Sequence, residues 1–114
     1  MIKNYGDRKL SKIPSHRRAM FRNMMASLAI NEKVITTLPK AKELKKFFDR
    51  LVDDAKKGRV VEVKREIKDK EAFKKIMTVL VPRYSSKTSG YTTLVNIGYR
   101  KGDNAVMSMI KLVE

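Results

Sequence analysis

Lys33-Val-Ile-Thr-Thr-Leu38, followed at once by Pro39-Lys-Ala-Lys-Glu-Leu44, is where the chain changes period. The first run is short and rich in β-branched residues, which predicts a strand. Proline has no amide hydrogen and a fixed φ, so Pro39 stops the strand and suits the first turn of a helix. Leu38, immediately before it, is expected outside the helical region. Beyond it Ala41, Leu44, Phe48, Leu51 and Ala55 recur at helical spacing. They predict a buried stripe on a helix over 39–57. Lys56 and Lys57 suit its C-terminal dipole end, and Gly58 terminates it.

Upstream, Ser15 is placed to cap a helix over 16–30. Met20, Met24 and Leu28, with Phe21 and Met25 alongside, give it a core face. The methionines could form a soft binding surface, but their spacing favours core. Residues 1–14 are basic and lack apolar periodicity, and Gly6 and Pro14 interrupt any helix. They read as an extended N-terminal arm, or as a frayed terminus without a role. Residues 15–114 then form one globular domain.

Downstream, Val60, Val63 and Ile67 have helical spacing, although the β-branched run weakens it. Phe73, Ile76, Met77 and Leu80 predict an inward face on a helix over 71–81, ended by Pro82. Residues 83–90 read as a loop. Tyr91 to Tyr99 reads as a strand with Tyr91, Val95, Ile97 and Tyr99 on one face. Gly102-Asp-Asn104 marks a hairpin loop, and Ala105 to Val113 is its partner strand. The order is helix, strand, helices, β-hairpin. The expected class is α+β in two layers, with helices packed on a small, about three-stranded mixed sheet.

The 114 residues suit one domain with one core, and 42% hydrophobic residues suit an ordinary globular chain. The charge does not. Lys and Arg number 27 against 12 Asp and Glu, a net +15. That surplus opposes compaction unless a polyanion relieves it, and phosphates do so with release of counterions. An anionic membrane surface is the alternative polyanion, but no apolar run approaches a membrane span. There is no cysteine and one histidine. Thiolate and multi-histidine metal sites are therefore excluded, and no cofactor or metal is expected. No signal-peptide pattern follows the charged start, and a reducing compartment fits.

Ser15-His16-Arg17-Arg18 puts cations into the first turn of a helix, where the dipole disfavours them. An anion held by the free backbone amides would account for them; solvated side chains would also do so. The arm before it, with Lys3, Arg8, Lys9 and Lys12, favours the phosphate reading. Arg22 and Asn23 continue that helix's polar side. Lys40 and Lys42 open the second helix. Its wider charged face, with Lys45, Lys46 and Arg50, is partly balanced by acids and ranks lower. Arg83, Tyr84, Lys87 and Tyr91 interleave cations and aromatics around a Ser-rich loop. That mixture suits RNA, with Tyr stacking on a splayed base; half-buried packing is the alternative. Arg100 and Lys101 at the hairpin tip would add phosphate contacts. His16 lacks a partner at any telling spacing, so general acid–base catalysis is not expected. No phosphate loop, nucleophile elbow or paired-carboxylate pattern occurs.

Ser15–Asn23 (SHRRAMFRN), Thr36–Leu44 (TTLPKAKEL), Pro82-Arg-Tyr84, Gly90-Tyr-Thr92, Gly102-Asp-Asn-Ala105 and Leu112-Val113 run in one order. Together they resemble the bacterial large-subunit ribosomal protein seventeen family, over about residues 8–114. The resemblance implies a two-layer α+β domain bound to 23S-type rRNA near the peptide exit, as one copy per ribosome beside other large-subunit proteins. It implies a scaffolding role without catalysis, in the cytoplasm. By matching position, His16, Arg17 and Arg22 would lie on an RNA-facing first helix, Lys40 and Lys42 at the second helix start, and Arg100 at the hairpin. The opening Met1-Ile2-Lys3-Asn4-Tyr5 departs from the family pattern. So does Thr93, where the family carries arginine, which removes one phosphate contact. The competing classes are a DNA-binding architectural protein, a basic ribonuclease using His16 and a membrane-surface protein. The DNA reading lacks an evident helix-turn-helix pair. The membrane reading lacks a large exposed apolar helix face.

Overall fold

The computed structural model describes residues 14–113, with side chains from 16 onward. Helix α1 spans Pro14–Asn31, strand β1 Lys33–Thr37, helix α2 Leu38–Lys56, α3 Val60–Glu66 and α4 Lys70–Lys75. A π-helical stretch, Ile76–Leu80, and a last turn, Val81–Arg83, continue α4. Strands β2 (Thr92–Tyr99) and β3 (Val106–Leu112) complete the chain. The sheet has the order β1-β3-β2 and is antiparallel throughout. It is three-stranded as expected, but not mixed. The C-terminal strand inserts between β1 and β2, so each neighbour meets it head to tail.

Three boundaries differ from the sequence reading. Pro14 does not break a helix; it lies in the first turn of α1, where a missing amide hydrogen costs nothing. Ser15 is therefore inside the helix and not its cap. At α2 the cap is Thr37, with extended backbone, and Leu38 already belongs to the helix. Pro82 also fails to end its helix. Its ring would crowd the carbonyl of Thr78 in a regular turn. The chain widens just ahead of it, and the Val81 amide donates to Ile76 five residues back. Gly58 closes α2 at φ +77°, as expected.

One core joins both layers. Phe21, Met25 and Leu28 of α1 meet Leu44, Phe48, Leu51 and Val52 of α2. Val63, Ile67, Ile76 and Leu80 close it from the later helices, and Ile110 and Leu112 from the sheet. Each such side chain contributes roughly 1.5–3 kcal/mol by leaving water.

The sheet's inner face differs from the expected one. Thr92, Leu94 and Asn96 lie opposite Leu112, Ile110 and Ser108, the buried side of β3. Val95, Ile97 and Tyr99 are exposed. Tyr91 is buried but precedes the strand. Alternation misled because the inward residue at the strand start is polar. Thr92 is satisfied by α2, donating from Oγ1 to Asp49 at 3.2 Å, while Lys45 donates to its carbonyl at 2.6 Å. A bulge then shifts the register between Asn96 and Gly98, where φ is +117°.

Glu32 links the layers. It leaves α1 at φ +66°, its amide still bonded to Leu28 at 2.8 Å. Its carbonyl accepts from Leu112 at 3.0 Å. Its carboxylate accepts from both arms of Arg83, at 3.0 and 3.1 Å, and pairs with Lys75 at 2.8 Å. The Arg83 guanidinium, and then Lys75, hold that carboxyl down at about 2.

Candidate nucleic-acid interface

The first turns of α1 contain no acidic residue. His16 and Arg18 are exposed there, and Arg17 is half-buried. One turn on, Asn23 is exposed, but Arg22 reaches across to α3. Its Nε and Nη2 donate to Glu66 at 3.2 and 3.4 Å. Arg22 is thus a structural cation as much as a surface one.

Beside this start, α1, α2 and α3 leave a cleft of about 340 Å³. Its floor is Phe21, Met25, Phe47 and Leu51, and arginines 17, 18, 50 and 65 stand around it. The residues of each helix recur at three- and four-residue steps, which brings them to one side. Arg65 was not singled out from the sequence, and Arg50 was ranked low, as part of a partly balanced helix face. Their signal was present only as spacing: Arg50 follows Phe47 by three residues, and that relation acquires meaning once α3 is placed against it.

A second basic group gathers at the far end of the sheet. Thr37, which precedes α2, pairs with Met107, next to the β2–β3 turn. Lys40 and Lys42 in the first turns of α2 therefore share an end of the molecule with Arg100 and Lys101. Lys42, Arg100 and Lys101 are exposed and Lys40 is half-buried. Arg100 braces the turn, donating to Asp103 at 3.1 and 2.8 Å. That contact holds the Asp103 carboxyl down at about 2 and raises Arg100.

In the predicted cluster around residues 83–91 both tyrosines face inward and Arg83 is ion-paired. Tyr84 and Tyr91 are fully buried, their rings 5.2 Å apart, so neither offers a face to a base. Tyr84 donates its hydroxyl to the Val113 carbonyl. Tyr91 donates to Asp53 at 2.6 Å and accepts from Lys56 at 2.9 Å. Burial raises both phenols, and for Tyr91 the neighbouring Asp53 carboxylate adds to the rise. Arg83 is spent on Glu32, and Lys87 is half-buried with its carbonyl bonded to Lys56. These residues tie the loop to the core. Lys3, Arg8, Lys9 and Lys12, and the side chain of Ser15, lie outside the described residues.

Among the described residues no group of His, Asp and Glu is arranged to hold a metal ion, and no helix is long and apolar enough to cross a membrane. What the geometry offers is two exposed cationic groups, one beside an aromatic cleft, on a core that buries Phe48, Tyr84 and Tyr91.

The Large ribosomal subunit protein bL17 of Elusimicrobium minutum is 49% identical over 114 residues, the whole of both chains. The protein of the same name from Endomicrobium trichonymphae is 45% identical over 116 aligned positions, covering 99% of each chain. That of Rhodopseudomonas palustris (strain TIE-1) is 44% identical over 110, covering 94% of this chain and 79% of its own. The family model for Ribosomal protein L17 matches residues 20–113, from the core face of α1 to the end of the sheet. By that match and those identities, the chain belongs to the ribosomal protein L17 family.

Proposed function

We propose that this chain binds and organises large-subunit rRNA, as a structural constituent of the large ribosomal subunit and not as an enzyme. The observation that carries the reading is the exposed cations at the α1 start and at the α2–hairpin end. Arg18, Lys42 and Lys101 have no ion-pair partner among the described residues. Cations at a helix start are unfavourable alone, and phosphate removes the penalty while releasing counterions. With the two groups at separate ends, one small domain bridges RNA segments that would otherwise repel each other. Lys3, Arg8, Lys9 and Lys12, which precede α1 in the sequence, add four cations for the same polyanion. Membership of a bacterial ribosomal family supports a cytoplasmic, ribosome-bound protein; the stoichiometry we propose is one copy per subunit. Its place is near the peptide exit, against neighbouring large-subunit proteins.

The test is binding of the full chain to a large-subunit rRNA transcript over a range of salt. Affinity should fall with a log–log slope of roughly 0.7 to 0.9 per phosphate contacted. Arg18→Ala and Lys42→Ala should each reduce the slope by about 1 without lowering the melting temperature. Unchanged slopes in both variants, or equal affinity for duplex DNA, would refute the proposal. Arg22 is avoided because its loss strands Glu66.

A further inference from the structure

Resting on the RNA-binding reading, we infer that the cleft between α1, α2 and α3 holds a single unstacked nucleotide of the bound RNA. Most of the large aromatic side chains of this domain are core, but Phe47 is only partly buried. Its ring leans on Phe21, with centroids 5.1 Å apart at 51°, and the Arg50 guanidinium lies 5.7 Å over it. A part-exposed ring and a planar guanidinium are two surfaces on which unstacked bases settle. At about 340 Å³ the cleft admits a nucleoside and not a duplex.

The charges around the cleft are sorted in a way that favours an anion. Glu66 is taken by Arg22, and Asp54 by Arg59 at 3.3 Å. Arg18, Arg50 and Arg65 make no ion pair among the described residues. Two of the three acids at the cleft are thus neutralised from outside it, while three guanidinium groups keep their donors. Guanidinium forks match phosphate oxygens. A neighbouring basic protein would be repelled by the same rim, so RNA is the occupant the charges select.

The experiment uses the full chain and a large-subunit rRNA transcript. Phe47→Leu keeps apolar bulk over Phe21 but removes the π face. It should weaken binding about tenfold, the range of one lost base stack, with the salt slope unchanged. The chain has no tryptophan, so Phe47→Trp supplies a single reporter. Its fluorescence should be quenched by the transcript and not by inorganic pyrophosphate, which carries phosphate without a base. Wild-type affinity in Phe47→Leu, together with an unquenched indole in Phe47→Trp, would overturn the inference while leaving RNA binding intact. Reduced subunit incorporation of Phe47→Leu at unchanged rRNA affinity would also overturn it, in favour of a protein occupant. Absence of rRNA binding by the wild-type chain would refute the underlying functional reading instead.

Discussion

Replacing Glu32 by glutamine removes one carboxylate and leaves two half-buried cations short of a partner. Its lowering from 4.5 to about 2 would correspond to about 3 kcal/mol at full linkage. The side chain is 37% exposed, however, and solvent screening reduces such pairs strongly. Lys75 also keeps a second acceptor, the Ile30 carbonyl at 3.0 Å. About 1–2 kcal/mol is therefore the expected loss at neutral pH, a fall in melting temperature of about 4–8 °C. The sign with pH follows from the depressed value. The stabilisation is full above about 4.5 and disappears as the pH falls through about 2. Wild type and Glu32→Gln should thus differ constantly from neutral pH down to about 5 and converge in acid. Glu32→Gly should lose less, because glycine takes φ +66° without strain and recovers about 1 kcal/mol. Thermal melts followed by circular dichroism measure all three chains. Equal melting temperatures at pH 7, or a difference that persists unchanged near pH 2, would refute the reasoning.

Tyr91→Phe leaves Asp53 and Lys56 without their shared hydroxyl in a part-buried place. Urea unfolding should show a loss of about 1–2 kcal/mol with no change in RNA affinity, and an affinity loss would restore Tyr91 as a contact residue. Gly58→Ala forces a β-carbon to φ +77°, and melts should show a loss of about 1 kcal/mol although nothing crowds the position. Leu28→Ala opens a cavity at a fully buried site and should cost about 2–5 kcal/mol in the same unfolding assay.

The helices were legible because their apolar residues follow the period of the elements that bury them. The stripe from Ala41 to Ala55 is buried as its spacing predicts. The strand β1 and the hairpin turn were legible from Pro39 and from Gly102-Asp-Asn104, residues with narrow conformational preferences. What failed depended on tertiary partners. The inner face of β2 is led by a threonine whose acceptor is Asp49, 43 residues away. Tyr84 and Tyr91 share a loop with Ser and Lys, yet their hydroxyls find Val113, Asp53 and Lys56 inside the fold. Composition alone does not separate a stacking tyrosine from one whose hydroxyl is satisfied in the core. The same limit hid the cleft, since Arg65 gains its relation to Phe47 only when α3 folds back on α2. The family was legible from short strings in register, which carry both core and surface positions.

A chain that is held in the large subunit by rRNA must travel with that subunit. The direct measurement is sedimentation of a cell extract at moderate and high salt, with the chain quantified by mass spectrometry across the gradient. The expected result is one chain per large subunit, retained at moderate salt. Migration at the top of the gradient, or with the chromosome, would contradict it.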